Sequence, residues 1–129
     1  MRVLVCGGED YADEARVRAV LDDLHAESPI SCVIQGGAPG AGWLGKRWAS
    51  LRGVAVQTYI PRRHLDGCAA GAKRNQAMID YGKPDVVVAF PGDRDTADVV
   101  QRAHAAGIRV VAIDAACGSS AHLAYEARG

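Results

Sequence analysis

An α/β fold, a doubly wound parallel sheet of about five strands flanked by helices, is predicted by three features of these 129 residues. Short apolar strand patterns alternate with amphipathic helical patterns four times, at a spacing of roughly 25–30 residues. Glycines cluster directly after the first, second and fourth strand patterns, where a parallel sheet hands over to its helices. Hydrophobic residues make up 49% of the chain but aromatic ones only 5%, so the core must be layered Val, Ala, Leu and Ile rather than large rings. The length fits a single domain over residues 1–129, with no linker, internal repeat or low-complexity tract.

Arg2 to Cys6 reads as the first strand, closed by the turn Gly7-Gly8-Glu9-Asp10. Asp10 or Asp13 can cap the next helix, in which Ala15, Val17, Val20, Leu21 and Leu24 recur at helical spacing as far as Ser28-Pro29. Ile30 to Gln35 is the second strand, ending at Gly36-Gly37. A helix from about Ala41 to Arg52 carries Trp43, Leu44, Trp48 and Leu51 and stops at Gly53. Val54 to Ile60 alternates as a third strand, Pro61 to Gly67 is a loop, and Ala69 to Tyr81 is helical. Asp85 to Phe90, with three successive valines, fits a strand covered on both faces. Pro91-Gly92 ends it, a helix follows to about Ala106, and Ile108 to Ile113 supplies the fifth strand. The tail from Asp114 to Gly129 contains Gly118-Ser119-Ser120 and is expected to hold at most one short helix. Right-handed crossovers and the strand order 3-2-1-4-5 bring the first and fourth turns together at the switch point of the sheet.

Fifteen basic and fifteen acidic side chains cancel, so no global field draws the chain to nucleic acid or to a membrane surface. No apolar run approaches the ~20 residues of a membrane span. The amino terminus enters a strand pattern without the features of a signal peptide, and a cytoplasmic location is expected. Cys6, Cys32, Cys68 and Cys117 form no Cys-x-x-Cys, which removes zinc-ribbon and thioredoxin-like chemistry. Cys6 and Cys32 fall in strands as small apolar residues, whereas Cys68 and Cys117 lie in looser sequence. His25, His64, His104 and His122 show no ligand spacing, and no Gly-x-Ser-x-Gly, His-Glu-x-x-His or Walker pattern occurs. Trp43 and Trp48 lie on an amphipathic helix, where burial or a subunit contact is the simpler use.

Three turns converge on one edge: Gly7-Gly8-Glu9, Gly36-Gly37-Ala38-Pro39-Gly40-Ala41-Gly42 and Pro91-Gly92-Asp93-Arg94-Asp95-Thr96. Such turns let a backbone approach a ligand and can hold an anion through N–H groups and helix dipoles. Arg74 can fork two hydrogen bonds to a phosphate, Thr96 adds a hydroxyl at a helix start, and Asn75 either orients a ligand hydroxyl or carbonyl or faces solvent.

The order of these blocks carries a resemblance. Arg2-Val3-Leu4-Val5-Cys6-Gly7-Gly8, Gln35-Gly36-Gly37-Ala38, Trp48-Ala49 with Arg52-Gly53-Val54, Ala69-Ala70-Gly71 with Arg74-Asn75 and Met78, and Pro84-Asp85 through Pro91-Gly92 resemble the small YspA-related branch of the SLOG superfamily, to about Ile113. The resemblance implies a Rossmann-like fold, a nucleotide or nucleotide-derived ligand, and pairing into homodimers through helices. It implies that Gly36, Gly37, Gly92 and Thr96 border a phosphate or ribose site faced by Arg74.

This chain departs from the family's Pro-Gly-Gly-x-Gly-Thr turn by placing Asp93 and Asp95 inside it. Glu9 stands where a basic residue is usual, and Gly42 where an acidic one is. Like unit charges near 4 Å repel by about 4 kcal/mol at an effective dielectric of 20, so an undisturbed phosphate site is not expected. Three alternatives follow: Asp93 or Asp95 caps the helix, with Asp95 and Asp98 a box-like pair; Glu9, Asp93 and Asp95 hold Mg²⁺; or the pocket is degenerate and the chain an oligomeric scaffold. LOG-type relatives hydrolyse nucleoside 5′-monophosphates with an arginine, matched by Arg74, and a glutamate whose position here is Val99. Asp98 lies one residue, or 100° of helix, away, which disfavours that route and leaves Asp93 or Asp95 as the alternative general base. The reading with fewest conflicts is a sensor-like binding module that needs no cofactor, with Gly7, Gly8, Gly36, Gly37, Arg74, Asn75, Gly92, Asp93, Asp95 and Thr96 around the ligand. Arg74 and Asp98 are the catalytic candidates if hydrolysis occurs.

Overall fold

A computed structural model of the chain describes residues 1–113 and the backbone of residues 125–128. β1 (Arg2–Cys6), β2 (Cys32–Gln35), β3 (Ala55–Thr58), β4 (Val86–Ala89) and β5 (Arg109–Ala112) run parallel in the predicted order 3-2-1-4-5. α1 (Glu14–Glu27), α2 (Ala41–Arg52), α3 (Arg63–Asp66), α4 (Ala70–Asp80) and α5 (Arg94–Ala105) connect them.

Alternation along the strands builds two cores. Val3, Val5, Val33, Val86 and Val88 face α1 and α2, where Val17, Leu21 and Trp48 cover them. Leu4, Ile34, Val87 and Val110 face α4 and α5, beneath Met78, Ile79, Val99 and Ala103. Every residue of β2 and β4 is buried, as expected of strands covered on both sides. Asp13 caps α1 by accepting the Arg16 N–H at 3.1 Å, and Gly53 in the left-handed region closes α2. β1 is anchored at its start by Arg2, whose N–H donates to Asp85 Oδ2 at 2.7 Å and whose Nε donates to the Gly82 carbonyl at 2.7 Å.

Two local expectations change. The segment read as a loop, Pro61 to Gly67, contains α3 and leads into a 3-10 turn over Gly67–Ala69, so the chain is already coiling before α4. In the tail, residues 125–128 form β6, paired antiparallel on β5 with Arg109 opposite Arg128. A four-residue strand of mixed polarity leaves little periodicity to read, and an edge position demands little burial. The expected short helix would have to fall in residues 114–124, which lie outside the described residues, as does Cys117.

Candidate functional site

Because β1 and β4 are neighbours whose helices leave on opposite faces, their carboxyl ends open the crevice in which ligands of such sheets sit. A cleft of about 560 Å³ occupies this edge, lined by Gly7, Glu9, Gly36, Gly37, Arg63, Cys68, Arg74, Asp93 and Asp95. That volume lies within the range of small-molecule sites. A recess of about 30 Å³ shares Gly7, Gly36, Arg74 and Asp95 with the cleft and continues to Cys6, Asn75, Met78 and Val99.

The glycine turns are shaped by close approach. Gly40 sits at φ 92°, and a Cβ there would meet the Gly8 carbonyl and lie 2.7 Å from the Glu9 Cα, so the second turn can rest on the first only without a side chain. A Cβ on Gly36 would lie 2.5 Å from Arg74 Nη1, so the close approach of this guanidinium to the turn requires glycine there. Two amides expected to receive an anion are already engaged. Gly8 N–H donates to the Pro91 carbonyl at 2.8 Å, and Gly37 N–H donates to Gln35 Oε1 at 2.6 Å.

Arg74 is only 8% exposed, with each of its nitrogens donating inside the protein. Nε donates to Asn75 Oδ1 at 2.8 Å, Nη1 to the Gly36 carbonyl at 2.7 Å, and Nη2 to Asp95 Oδ2 at 3.0 Å. Asn75 is 1% exposed, and its Nδ2 donates to both Asp95 Oδ1 and Asp98 Oδ2. Arg102 closes the chain, donating from Nε to Asp98 Oδ2 at 2.8 Å and from Nη1 to Gln76 Oε1. The result is a polar network running from the cleft between α4 and α5.

Six of the expected binding residues, Gly7, Gly36, Gly37, Arg74, Asp93 and Asp95, therefore line one cleft. Asn75 reaches only the recess and is consumed by the network, so it is neither a solvent-facing residue nor a ready ribose contact. Gly8, Gly92 and Thr96 line neither the cleft nor the recess. They pack on one another, since a Cβ on Gly92 would lie 2.7 Å from Gly8 N and 2.8 Å from Thr96 Cβ. The helix cap is Asp93, which accepts the Asp95 N–H at 3.1 Å. Asp95 and Asp98 form no box-like pair, being joined instead through Asn75. Glu9, Asp93 and Asp95 share the cleft wall, yet among the described residues no three His, Cys, Asp or Glu side chains gather as a metal-holding group. The Mg²⁺ expectation therefore has no preassembled ligand set.

Asp98 turns away from the cleft into a separate groove with Gln76 and Arg102, while Val99 is fully buried and borders the recess. The Arg102 hydrogen bond, helped by that from Asn75 and opposed by partial burial, holds the Asp98 carboxyl below its usual range. A depressed folded pKa gives stability that is present above the unfolded value and lost as pH falls through the folded one. Asp98→Asn should thus lose stability relative to the native chain at neutral pH, with the gap closing below about pH 4 in urea unfolding. A pH-independent gap would show that the charge on Asp98 contributes nothing.

Sequence reasoning missed Gln35 and Arg63 as residues of the site. Gln35 is 2% exposed, donates from Nε2 to Thr58 Oγ1 and pins the glycine turn; a polar residue ending an apolar strand just before Gly-Gly was its signal. Arg63 brings a second cation to the cleft from α3. Burial, with the Asp95 charge adding and Arg74 opposing, pushes the Cys6 thiol up to about 12, whereas Cys68 is exposed on the cleft wall.

A family model described as YAcAr, the YspA, cpYpsA-related SLOG family, matches residues 1–65, which takes in β1 to β3 and the first two glycine turns. The Gene 61 protein of Mycobacterium phage D29 is 35% identical over 118 residues, covering 85% of this chain and 94% of that protein.

Proposed function

The chain belongs to the YspA, cpYpsA-related SLOG family, and from that premise we propose that it binds a nucleotide or nucleotide-derived small molecule in the cleft at the carboxyl edge of the sheet, as a sensor-like module. The observation that carries this reading is the cleft of about 560 Å³ at the switch point between β1 and β4, walled by two glycine turns and the start of α5. Binding is favoured over hydrolysis because the residue at the motif glutamate position, Val99, is buried and apolar, and Asp98 is held by Arg102 in another groove. A two-fold pair is part of the proposal: Trp43 and Leu51 of α2 are exposed apolar side chains on a helix, and a monomer mass in sedimentation at micromolar concentration would exclude it.

A thermal-shift panel of nucleosides, nucleotides and their cyclic and diphosphate-ribose derivatives tests the binding reading. A ligand present at 100 times its dissociation constant stabilises by about 2.7 kcal/mol, a shift of roughly 5–15 °C in a domain of this size. Should no member of the panel move the transition, with or without Mg²⁺, the scaffold alternative replaces it. Release of free base from a nucleoside 5′-monophosphate would instead restore the hydrolase.

A further inference from the structure

An arginine offers five N–H donors on three nitrogens, and in this chain each nitrogen of Arg74 already serves one protein acceptor: Asn75 Oδ1, the Gly36 carbonyl and Asp95 Oδ2. The Arg74 side chain is 7% exposed, so it cannot swing to a new partner without abandoning the network. Asp95 differs. Its side chain is 54% exposed, it lines the cleft, and its two oxygens are held separately, one by Arg74 Nη2 and one by Asn75 Nδ2, each at 3.0 Å.

The geometry points to Asp95 as the residue that sets the cleft's ligand class: its carboxylate lies on Arg74 in the place where a ligand's phosphate or carboxylate would bind, so the native chain favours a ligand uncharged at that end, a nucleoside over its 5′-monophosphate. The inference rests on the reading of the cleft as a ligand site. Two further observations agree with it. The Gly8 and Gly37 amides, which would otherwise complete an anion cradle, are donated to Pro91 and Gln35. An incoming anion would also meet Glu9 and Asp93 on the same wall, with Arg63 as the other cation of the cleft. Asp95 thus balances the charge of Arg74 internally, and the cation serves to hold α4, α5 and the Gly36 turn together.

Asp95→Asn preserves the size of the side chain and an oxygen acceptor for Arg74 while removing the charge, and Asp95→Ser is a smaller uncharged control. Titration calorimetry of the full chain with inorganic phosphate, the four common nucleosides and their 5′-monophosphates reads the effect. Asp95→Asn should bind inorganic phosphate and at least one monophosphate about tenfold more tightly than the native chain, with nucleosides changed less than about twofold. Adding Arg74→Gln to Asp95→Asn should remove the gain, provided the double variant still melts cooperatively; Asp95→Ser should reproduce the gain on its own. If both uncharged variants take phosphate and monophosphates no more tightly than the native chain, whether all bind or none does, the inference is overturned. The outcomes separate it from the functional reading: native binding of monophosphates equal to that of Asp95→Asn sinks the role of Asp95 and keeps the nucleotide ligand. A phosphate gain in Asp95→Asn, with no nucleoside or nucleotide bound by the native chain, does the reverse.

Discussion

Arg74→Ala is expected to destabilise the chain by about 3–4 kcal/mol in urea unfolding at neutral pH, among the largest losses available to a single polar substitution here. The size follows from what is left behind. Removing the guanidinium strips the donor from Asn75 Oδ1, which is 1% exposed, and from the Gly36 carbonyl, and opens a void between α4 and the glycine turn. Asp95 loses its partner too, but its half-exposed carboxylate can be rehydrated, so the ion pair supplies the smaller share. Asp95→Ala should cost less, about 1–2 kcal/mol, because it leaves Arg74 Nη2 and Asn75 Nδ2 short of an acceptor at a position that water can reach. Arg74→Lys should recover under half of the loss, because one ammonium cannot reach three acceptors set around a planar fork. Equal costs for Arg74→Ala and Asp95→Ala would mean that the ion pair dominates. No cost for Arg74→Ala would mean that the side chain faces solvent. A loss of ligand response in Arg74→Ala is therefore no proof of a ligand contact, since the same change weakens the cleft wall.

The parts of this site that could be read from the sequence are those encoded by local rules. Val86 to Ala89 declares a strand buried on both faces by composition alone, and its position beside β1 follows from right-handed crossovers between glycine turns. The span Ala41–Arg52 carries its signal at the C-terminal end, where Gly53 adopts the left-handed conformation expected of a stop. The hidden parts depend on pairs distant in sequence. Arg74 and Asp95 are 21 residues apart on different helices, and nothing in either helix tells that the two charges meet. Asn75 is ambiguous in the sequence for the same reason: a polar residue beside Arg74 reads as surface until α5 is packed on it with Asp95 and Asp98 both in reach. Asp93 and Asp95 read from the sequence as a conflict with phosphate, and only the packed structure separates the cap, Asp93, from the counter-charge, Asp95.

Phe90→Ala should lower stability by about 3–5 kcal/mol and the melting temperature by roughly 10–25 °C. Phe90 is the single phenylalanine in a chain poor in rings, and it is 1% exposed at the end of β4. Its N–H donates to the Cys6 carbonyl at 2.9 Å, which extends the pairing of β1 with β4 by one step just as both strands leave the sheet. Its ring lies 5.2 Å from that of Tyr11, and a Cβ added to Gly7 would come within 2.9 Å of the Phe90 Cβ. The side chain therefore fills the space beneath the first turn, where Val and Ala residues of the same core are too small to expand. Phe90→Leu should cost less than about 1.5 kcal/mol, because much of the volume is kept. The functional consequence is separable from stability: with the support under Gly7 and Pro91 removed, the two turns flanking the cleft lose their fixed spacing. Any ligand that stabilises the native chain should then shift the Phe90→Ala transition less than the Phe90→Leu transition at the same ligand excess. Equal shifts would show that the cleft keeps its shape without this ring, and that Phe90 serves the core alone.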